Sequence, residues 1–272
     1  KPVVEKMSDA PTYFEVTTSM AFQYCNDKKV DFAVVEVGLG GRYDATNIVE
    51  PIVSVITNIS LEHTDVLGKT IKDIAFQKAG IIKNKTSIVT SANKEALDVV
   101  KKISSGKNSS VQVVDDNSWD RISYGLDGQE FVIKGVLSEY NVKTKMLGKY
   151  QGENIALAIL TVENLQINGV YIPEASIAEG VEKAVNPGRL EVISYEPFVL
   201  LDGAHNPAGI QTLRKTLDED LEYEKLILVL GILYDKDIAS MLSIIVPVAD
   251  VVVLTKSHNS RACEPSKLKE II

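Results

Sequence analysis

The sequence predicts an α/β protein with a parallel sheet covered by helices on both faces, followed by a second, smaller domain. Short runs of β-branched and apolar residues indicate buried strands. Helical patterns with capping signals lie between these runs, so that strand and helix alternate. A cluster of chain-breaking residues at 186–189 then interrupts the alternation, and we expect one domain over residues 1–187 and another over 188–272.

The elements follow one another in a regular order. Thr12 and Glu15 have the spacing of a capping box and begin a predicted helix over residues 12–26. Residues 111–146 break the rhythm, and Asp127-Gly128 between two strand-like pieces predicts a hairpin insertion. The remaining predicted strands cover residues 30–37, 52–56, 87–90, 198–201, 226–230 and 251–254, and the remaining predicted helices cover 70–82, 94–103, 152–165, 173–185 and 208–217.

Composition excludes several classes of function. The 272 residues carry a formal net charge of −8, which gives no general attraction for nucleic acid or for an anionic membrane surface. No run reaches the ~18 consecutive apolar residues of a membrane helix. Cys25 and Cys263 lie far apart, which argues against a disulfide framework or a zinc site and favours the cytoplasm. The chain begins at Lys1 and its last residues have a helical pattern, so we expect both ends to be truncated.

A glycine-rich loop follows the predicted strand over residues 30–37. Ligands of open parallel sheets bind at the carboxyl ends of strands, so residues 38–47 form a candidate site. A dinucleotide fingerprint is excluded, because Tyr43 stands where its third glycine would be. Glu36 lies near the end of an otherwise apolar strand, where an unpaired charge would be costly. A bound cation would satisfy this carboxylate, and so would Arg42 or a backbone amide.

Two further residues could complete a cation site at this sheet edge. His63 follows the next predicted strand and could face Glu36 if the two strands are parallel neighbours, although a hydrogen-bonded structural histidine is the alternative. Lys78 lies on the apolar stripe of the predicted helix over residues 70–82, which predicts partial burial. Burial favours the neutral amine, which can add carbon dioxide to give a carbamate, an oxygen-bearing anion suited to magnesium. The alternative is a lysine that extends its ammonium group to solvent.

Several motifs stand in order along the chain: E-V-G-L-G-G-R at 36–42, D-A-T-N at 44–47, H-T-D at 63–65, K-A-G-I-I-K at 78–83, G-E-N at 152–154, P-G-R at 187–189, D-G-A-H-N-P at 202–207 and D-K-D at 235–237. Together they resemble the folylpolyglutamate synthase and dihydrofolate synthase family of the Mur ligase superfamily. The resemblance covers nearly the whole chain. It implies an incomplete, P-loop-NTPase-like central domain over residues 1–187 and part of a Rossmann-like carboxyl-terminal domain over 188–272.

The resemblance also implies roles for individual residues. Glu36 and His63 resemble the family's magnesium (Mg²⁺) ligands, and Lys78 resembles its carbamylated lysine, which helps to hold the metal and the reacting phosphate. His205 is similar to a histidine needed near the nucleotide and the incoming glutamate. Residues matching positions that contact ATP are Asn154, Arg189 and Asp202, and those matching segments that line the pterin site are Thr12, Tyr13, Phe14, Glu15, Tyr43, Asp44 and Ala45.

The implied activity is an ATP-dependent ligation of L-glutamate to a folate or dihydropteroate carboxylate through an acyl phosphate. We expect a cytoplasmic monomer with ATP and Mg²⁺ as cofactors and with no nucleic-acid or membrane partner. The sequence departs from the family in lacking the G-x-x-x-x-G-K-[ST] phosphate loop, which in the family precedes the position of Lys1. We therefore expect the fragment itself to be inactive. The alternatives are another Mur-type ligase, of the peptidoglycan-precursor or cyanophycin type, and a non-catalytic binding module if Lys1 is a native start.

Overall fold

The computed structural model describes residue 5 and residues 7–272 of the chain. Residues 1–4 and 6, which begin the predicted 1–187 domain, lie outside the described residues. The described part forms two compact units. The first unit comprises the residues up to Val114 together with Asn164–Val170, and the second comprises Asp115–Glu163 together with Tyr171–Ile272. The predicted domain boundary between residues 187 and 188 stays a prediction.

The first unit is built on a three-stranded parallel sheet. Its strands are β1 (Val53–Ile56), β2 (Ser87–Thr90) and β3 (Ser110–Val113), in that spatial order. Its helices are α1 (Tyr13–Lys28), α2 (Thr64–Leu67), α3 (Ile71–Lys78) and α4 (Lys94–Gly106), with the last turn, residues 164–167, of a further helix described below. The core residues Ile56, Ala75, Ile82, Ile88 and Val100 pack α3 and α4 against the strands.

Local sequence explains where the helices of this unit begin. The Thr12 hydroxyl accepts a hydrogen bond from the Glu15 amide at 3.2 Å, and the Glu15 carboxylate accepts one from the Thr12 amide at 2.7 Å. Thr70 and Asp73 form the same reciprocal pair at the start of α3. These capping boxes satisfy amides that have no partner within the helix, which fixes the first turn of each helix.

The second unit combines an antiparallel insertion with a parallel pair of strands. The insertion consists of β4 (Trp119–Gly125), β5 (Gly128–Lys134) and β6 (Glu139–Thr144). The helix α5 (Gln151–Ile167) runs from this unit into the first, and α6 (Glu174–Lys183) contacts β6. Then come the antiparallel β7 (Glu191–Tyr195) and β8 (Phe198–Leu201), α7 (Pro207–Glu219), β9 (Ile227–Leu230), α8 (Ile238–Ile245), β10 (Val251–Leu254), which is parallel to β9, and α9 (Pro265–Ile271).

The α/β class and the parallel sheet are confirmed, but one predicted strand is wrong. Residues 30–37 form no strand, and all of them except Val37 are exposed. The Val34 side chain is fully accessible. An apolar pattern predicts an extended segment, yet a strand is buried only when neighbouring strands and helices cover it. No strand of the described residues pairs with this segment.

Three smaller differences concern the second unit. The strand at 198–201 was expected in a parallel sheet, and it pairs instead with β7 in an antiparallel hairpin. The predicted hairpin at Asp127-Gly128 is confirmed, but the prediction lacks its third strand, β6, and the strand β7. Among the described residues, none of the helices combines the length and the apolar character needed to cross a membrane.

Candidate functional site

The Asp44 carboxylate holds the glycine-rich loop together by hydrogen bonds. Asp44 accepts hydrogen bonds from the amides of Leu39 and Thr46, both at 2.9 Å, and from the Thr46 hydroxyl at 2.5 Å. Burial alone would raise the pKa of Asp44, but the hydrogen bonds from Thr46, Leu39 and Gly38 outweigh burial and lower the pKa. Gly40 has a φ of 69°, a conformation that glycine adopts without steric cost. The loop is therefore held in one shape by an ionised carboxylate.

The same loop is bonded to the turn that follows α3. The Arg42 amide donates to the Gln77 carbonyl at 2.9 Å, and the Asn47 side-chain amide donates to the Gly80 carbonyl at 3.2 Å. The Lys83 ammonium donates in return to the Asn47 carbonyl at 2.8 Å. The contact is so close that a β-carbon on Gly80 would lie 2.4 Å from the Arg42 α-carbon. Residues 38–47 and 77–83 thus form one bonded structure.

Lys78 lies within this bonded structure, and His63 lies beside it. Lys78 is the last residue of α3 and is half-buried, as its place on the apolar stripe predicts. His63 precedes the first residue of α2, is exposed, and has a φ of 51°. A left-handed backbone is uncommon for residues other than glycine, although histidine adopts it more often than most, and such residues cluster at functional sites. A β-carbon on Gly40 would lie 2.7 Å from the Leu67 side chain at the end of α2, so the loop also touches the helix that His63 begins.

Glu36 differs from its prediction. Its side chain is exposed rather than buried in an apolar strand, because residues 30–37 have no covering neighbour among the described residues. Arg42 does not neutralise it: no ion pair among the described residues joins the two, and the Arg42 guanidinium lies 4.6 Å above the Phe76 ring. The burial argument for a cation at Glu36 was therefore wrong, and any role for Glu36 rests on its place two residues before Gly38.

The residues predicted to line a pterin site gather at the same loop. The Phe14 ring covers Gly38, where a β-carbon would lie 2.5 Å from the ring. Helix α1 contacts the short 3-10 helix Ala45–Ile48, which continues from the segment 43–45. Tyr13 and Tyr43 present exposed rings. In contrast, Thr12, Glu15 and Asp44 use their polar groups to hold the backbone, so the aromatic rings are the better candidates for substrate contact.

A second group of predicted residues meets in the second unit. Asp202 accepts hydrogen bonds from the Leu190 amide at 3.0 Å and from the Ala204 amide at 2.8 Å. The Gly203 amide donates to the Gly188 carbonyl at 2.7 Å, and a β-carbon on Gly203 would lie 3.1 Å from Nη1 of Arg189. The loop after β8 and the turn before β7 are thereby joined, with the Asp202 carboxylate and the exposed Arg189 guanidinium at their junction.

Tyr150 belongs to this junction, although the sequence did not single it out. Burial raises the pKa of the Tyr150 phenol, and the charge of Asp202 raises it further while that of Arg189 opposes the shift. A β-carbon on Gly148 would lie 2.5 Å from the Tyr150 ring and 2.9 Å from the Leu190 side chain. We call Tyr150, Arg189, Leu190 and Asp202 the Asp202 cluster.

Asn154 and His205 flank the Asp202 cluster. Asn154 lies one helical turn after Tyr150 in α5, and its amide donates to Gln151 at 3.0 Å. His205 is exposed, and its Nδ1 lies 2.9 Å from the Gly203 carbonyl oxygen. The sequence-predicted residues of the second unit therefore surround one junction.

Comparison with known proteins agrees with this arrangement. The family model of the Mur ligase middle domain matches residues 5–162, and that of the Mur ligase glutamate ligase domain matches residues 188–272. The chain belongs to the Mur ligase family. A dihydrofolate synthase/folylpolyglutamate synthase of Bacillus subtilis is 38% identical to this Mur ligase chain over 251 residues, which are 89% of the chain and 58% of the relative. The corresponding Mycobacterium tuberculosis protein is 35% identical over 274 residues, 97% of the chain and 56% of the relative.

A solved structure matches the Mur ligase chain over its full length. The folylpolyglutamate synthase of M. tuberculosis, complexed with ADP and AMPPCP, has a TM-score of 0.90 and 35% identity, covering 100% of this chain and 64% of that one. The chain thus spans between about half and two thirds of the length of these relatives. The fold and the family follow from these matches, whereas substrates and activity belong to the proposal below.

The predicted metal-binding set of Glu36, His63 and Lys78 depends on the chemical state of Lys78. Among the residues that the structure describes, no group of three or more His, Cys, Asp or Glu side chains is placed to hold a metal ion. The predicted set contains only two such side chains, Glu36 and His63. A neutral or cationic lysine is no ligand for Mg²⁺, which prefers oxygen, so the set fits that ion only if Lys78 carries a carbamate.

Sequence reasoning missed the structural bonds of the loop as well as Tyr150. Asp44 precedes Thr46 by two residues, which is the spacing of an Asx turn, and that signal could have revealed its bonding role. Asn47 is bonded to Gly80, 33 residues away, and no local signal reveals such a partner.

Proposed function

We propose that this chain is part of an ATP-dependent ligase that joins L-glutamate to the carboxylate of a folate or a dihydropteroate. The observation that carries the proposal is the bonding of the 38–47 loop to the 77–83 turn, which fixes Lys78 beside a surface with exposed aromatic rings. The matched relatives named as folylpolyglutamate and dihydrofolate synthases support the substrate class. The cytoplasmic location and the monomeric state predicted from the sequence belong to the same proposal.

The reaction proceeds in two steps. The substrate carboxylate attacks the γ-phosphorus of ATP, which gives an acyl phosphate and ADP, and the glutamate amine then attacks the carbonyl carbon and releases phosphate. A carboxylate is a poor electrophile, so the protein must position the reactants and neutralise charge on the phosphoryl oxygens. Glu36, His63 and a carbamylated Lys78 would hold Mg²⁺, which when bound supplies positive charge to those oxygens.

The chain's other residues bind and orient the reactants. The exposed rings of Tyr13 and Tyr43 offer apolar faces for a pterin. In the second unit, Arg189 offers a guanidinium to phosphate oxygens and Asp202 a carboxylate to donors of the nucleotide. His205 lies three residues after Asp202, and we assign it to the neighbourhood of the incoming glutamate amine.

A substrate screen with the full-length protein tests the proposal. ATP, L-glutamate and either dihydropteroate or a reduced folate should yield ADP and a glutamylated product with at least one of the two pterins. Inertness toward both pterins, with turnover of a peptidoglycan precursor or a cyanophycin primer, would favour the rival Mur-type ligases. Inertness toward every acceptor would overturn the ligase assignment.

Lys78→Met and Lys72→Met form a matched pair for the role of the lysine. Both residues lie in α3, but the Lys72 side chain is 66% exposed and pairs with Glu95. We expect Lys78→Met to lower turnover by roughly 100-fold or more, as removal of a transition-state contact does, and Lys72→Met to stay within about two-fold. A carbamate should also appear as a new carbonyl signal by carbon-13 NMR in ¹³C-bicarbonate. Full activity of Lys78→Met would remove Lys78 from the mechanism.

A further inference from the structure

An ion pair buried in the second unit joins two distant parts of the sequence. Nη1 and Nη2 of Arg121 in β4 each donate to one carboxylate oxygen of Asp220 at 2.7 Å. The two side chains are only 10% and 7% exposed. The Arg121 guanidinium also stacks 4.1 Å above the Tyr124 ring. Bonds on both oxygens together with stacking fix the direction of the guanidinium as well as its position.

A series of hydrogen bonds connects Arg121 to the turn beside the Asp202 cluster. Arg121 also donates to the side-chain oxygen of Gln129 at 3.3 Å, and the Gln129 amide donates to the Met146 carbonyl at 2.7 Å and to the Gly148 carbonyl at 2.9 Å. Gly148 is enclosed by the Tyr150 ring and the Leu190 side chain. The turn that carries Tyr150 is therefore bonded to β5 and, through Gln129, to Arg121.

Helix α7 connects Asp220 to the residue that follows His205. Asp220 is the carboxyl-terminal cap of α7, and Asn206, which follows His205, is the amino-terminal cap of the same helix. The side chain of Asn206 accepts a hydrogen bond from the Gly209 amide at 2.7 Å. This helix of 13 residues is about 20 Å long, so a displacement of its Asp220 end is transmitted along the helix to the end that follows His205.

We propose that Arg121 is a positioning residue for the nucleotide site, because it fixes the turn carrying Tyr150 and the helix that follows His205 relative to each other. The inference rests on the proposed function, since the nucleotide is what the Asp202 cluster would bind. Stability alone does not account for the pair, because apolar residues of similar volume often replace a buried ion pair without loss of stability. A bidentate pair adds a fixed geometry that apolar contacts do not supply.

The test measures ADP affinity and local opening in the full-length protein. Arg121→Met removes the guanidinium, and Arg121→Met with Asp220→Leu replaces the whole pair by apolar groups, which guards against a variant that fails to fold. Met241→Ala, a cavity variant of the buried core in α8, serves as the control for lost stability. Lys183→Met, which removes the exposed ion pair with Glu179, serves as the control for lost charge. Calorimetry gives the Kd for ADP, and hydrogen exchange reports on the amides of Leu190 and Ala204.

We expect both Arg121 variants to weaken ADP binding by roughly ten-fold and to speed exchange of the Leu190 and Ala204 amides by a similar factor. The two controls should bind ADP within about two-fold of the native protein. Native-like exchange at Leu190 and Ala204 in both Arg121 variants would overturn the positioning role, and so would an equal loss of ADP affinity in Met241→Ala. If the native protein fails to bind ADP, the proposed function fails, while the exchange comparison still decides whether Arg121 fixes the cluster.

Discussion

Replacing Asp44 by asparagine tests whether one carboxylate holds the glycine-rich loop. The substitution keeps the shape of the side chain but leaves one acceptor oxygen for the three donors, which are the Leu39 amide, the Thr46 amide and the Thr46 hydroxyl. Loss of an N-cap bond costs about 0.5–2 kcal/mol, and a hydrogen bond to a charged group contributes about 1.5–3 kcal/mol. Because Asp44 is only partly buried, screening reduces these values, and we expect a loss of about 1–2 kcal/mol at pH 7.

The same substitution predicts a dependence on pH. Burial acts to raise the pKa of Asp44, but the stronger hydrogen bonds lower it in the folded protein. Its contribution is therefore fully present above the unfolded carboxyl pKa of about 3.9 and is lost as the pH falls through the lower folded value. The difference between the native protein and Asp44→Asn should accordingly shrink below about pH 4.

Urea unfolding followed by far-ultraviolet circular dichroism measures this difference. Asp98→Asn, on the exposed surface of α4, is the matched control and should change stability by less than about 0.5 kcal/mol. A loss at pH 7 no larger than that of the control would refute the reasoning, as would a loss that stays constant down to about pH 3.

Two further substitutions test other parts of the fold. Gly41→Ala should destabilise the protein by about 1–3 kcal/mol in urea unfolding, because the φ of Gly41 is 150° and the new β-carbon would lie 3.0 Å from the Lys78 carbonyl oxygen. Gly106→Ala is the control and should not destabilise the protein, because a β-carbon there would have nothing within 4 Å. Glu163→Gln should lower the free energy of unfolding by about 2–4 kcal/mol, because the carboxylate of Glu163 is fully buried and accepts four hydrogen bonds. The donors are the amides of Val136, Leu137 and Ser138 and the Tyr140 hydroxyl. A loss of stability as small as that of Glu179→Gln, at an exposed position, would contradict this prediction.

Local patterns predicted the elements whose signals are themselves local. The capping box at Thr12, the apolar stripe with Lys78 and the turn at Asp127-Gly128 all appear near the expected positions. Residues 30–37 show the limit of this reasoning. Their pattern predicts a buried strand, but burial depends on neighbours that a periodicity does not reveal. The exposed Glu36 is a direct result of that limit.

Contacts between distant residues were beyond sequence reasoning for a similar reason. Arg121 and Asp220 are 99 residues apart, and neither lies in a motif that indicates a partner. The resemblance to a family identified Arg189, Asp202 and His205 but not Tyr150, whose ring packs around Gly148 together with the Leu190 side chain. The metal-binding role of Glu36, His63 and Lys78 stays a prediction.

The contact between His205 and the Gly203 carbonyl determines where the ring can react. A carbonyl oxygen only accepts hydrogen bonds, so the neutral ring carries its proton on Nδ1. The lone pair is therefore on Nε2, at the opposite side of the imidazole. Any proton that His205 takes up must arrive at Nε2, and a ring flip that offered Nδ1 instead would break the bond to Gly203. The Gly203 carbonyl thus favours the tautomer with the proton on Nδ1, which leaves Nε2 as the atom through which this side chain can act as a base.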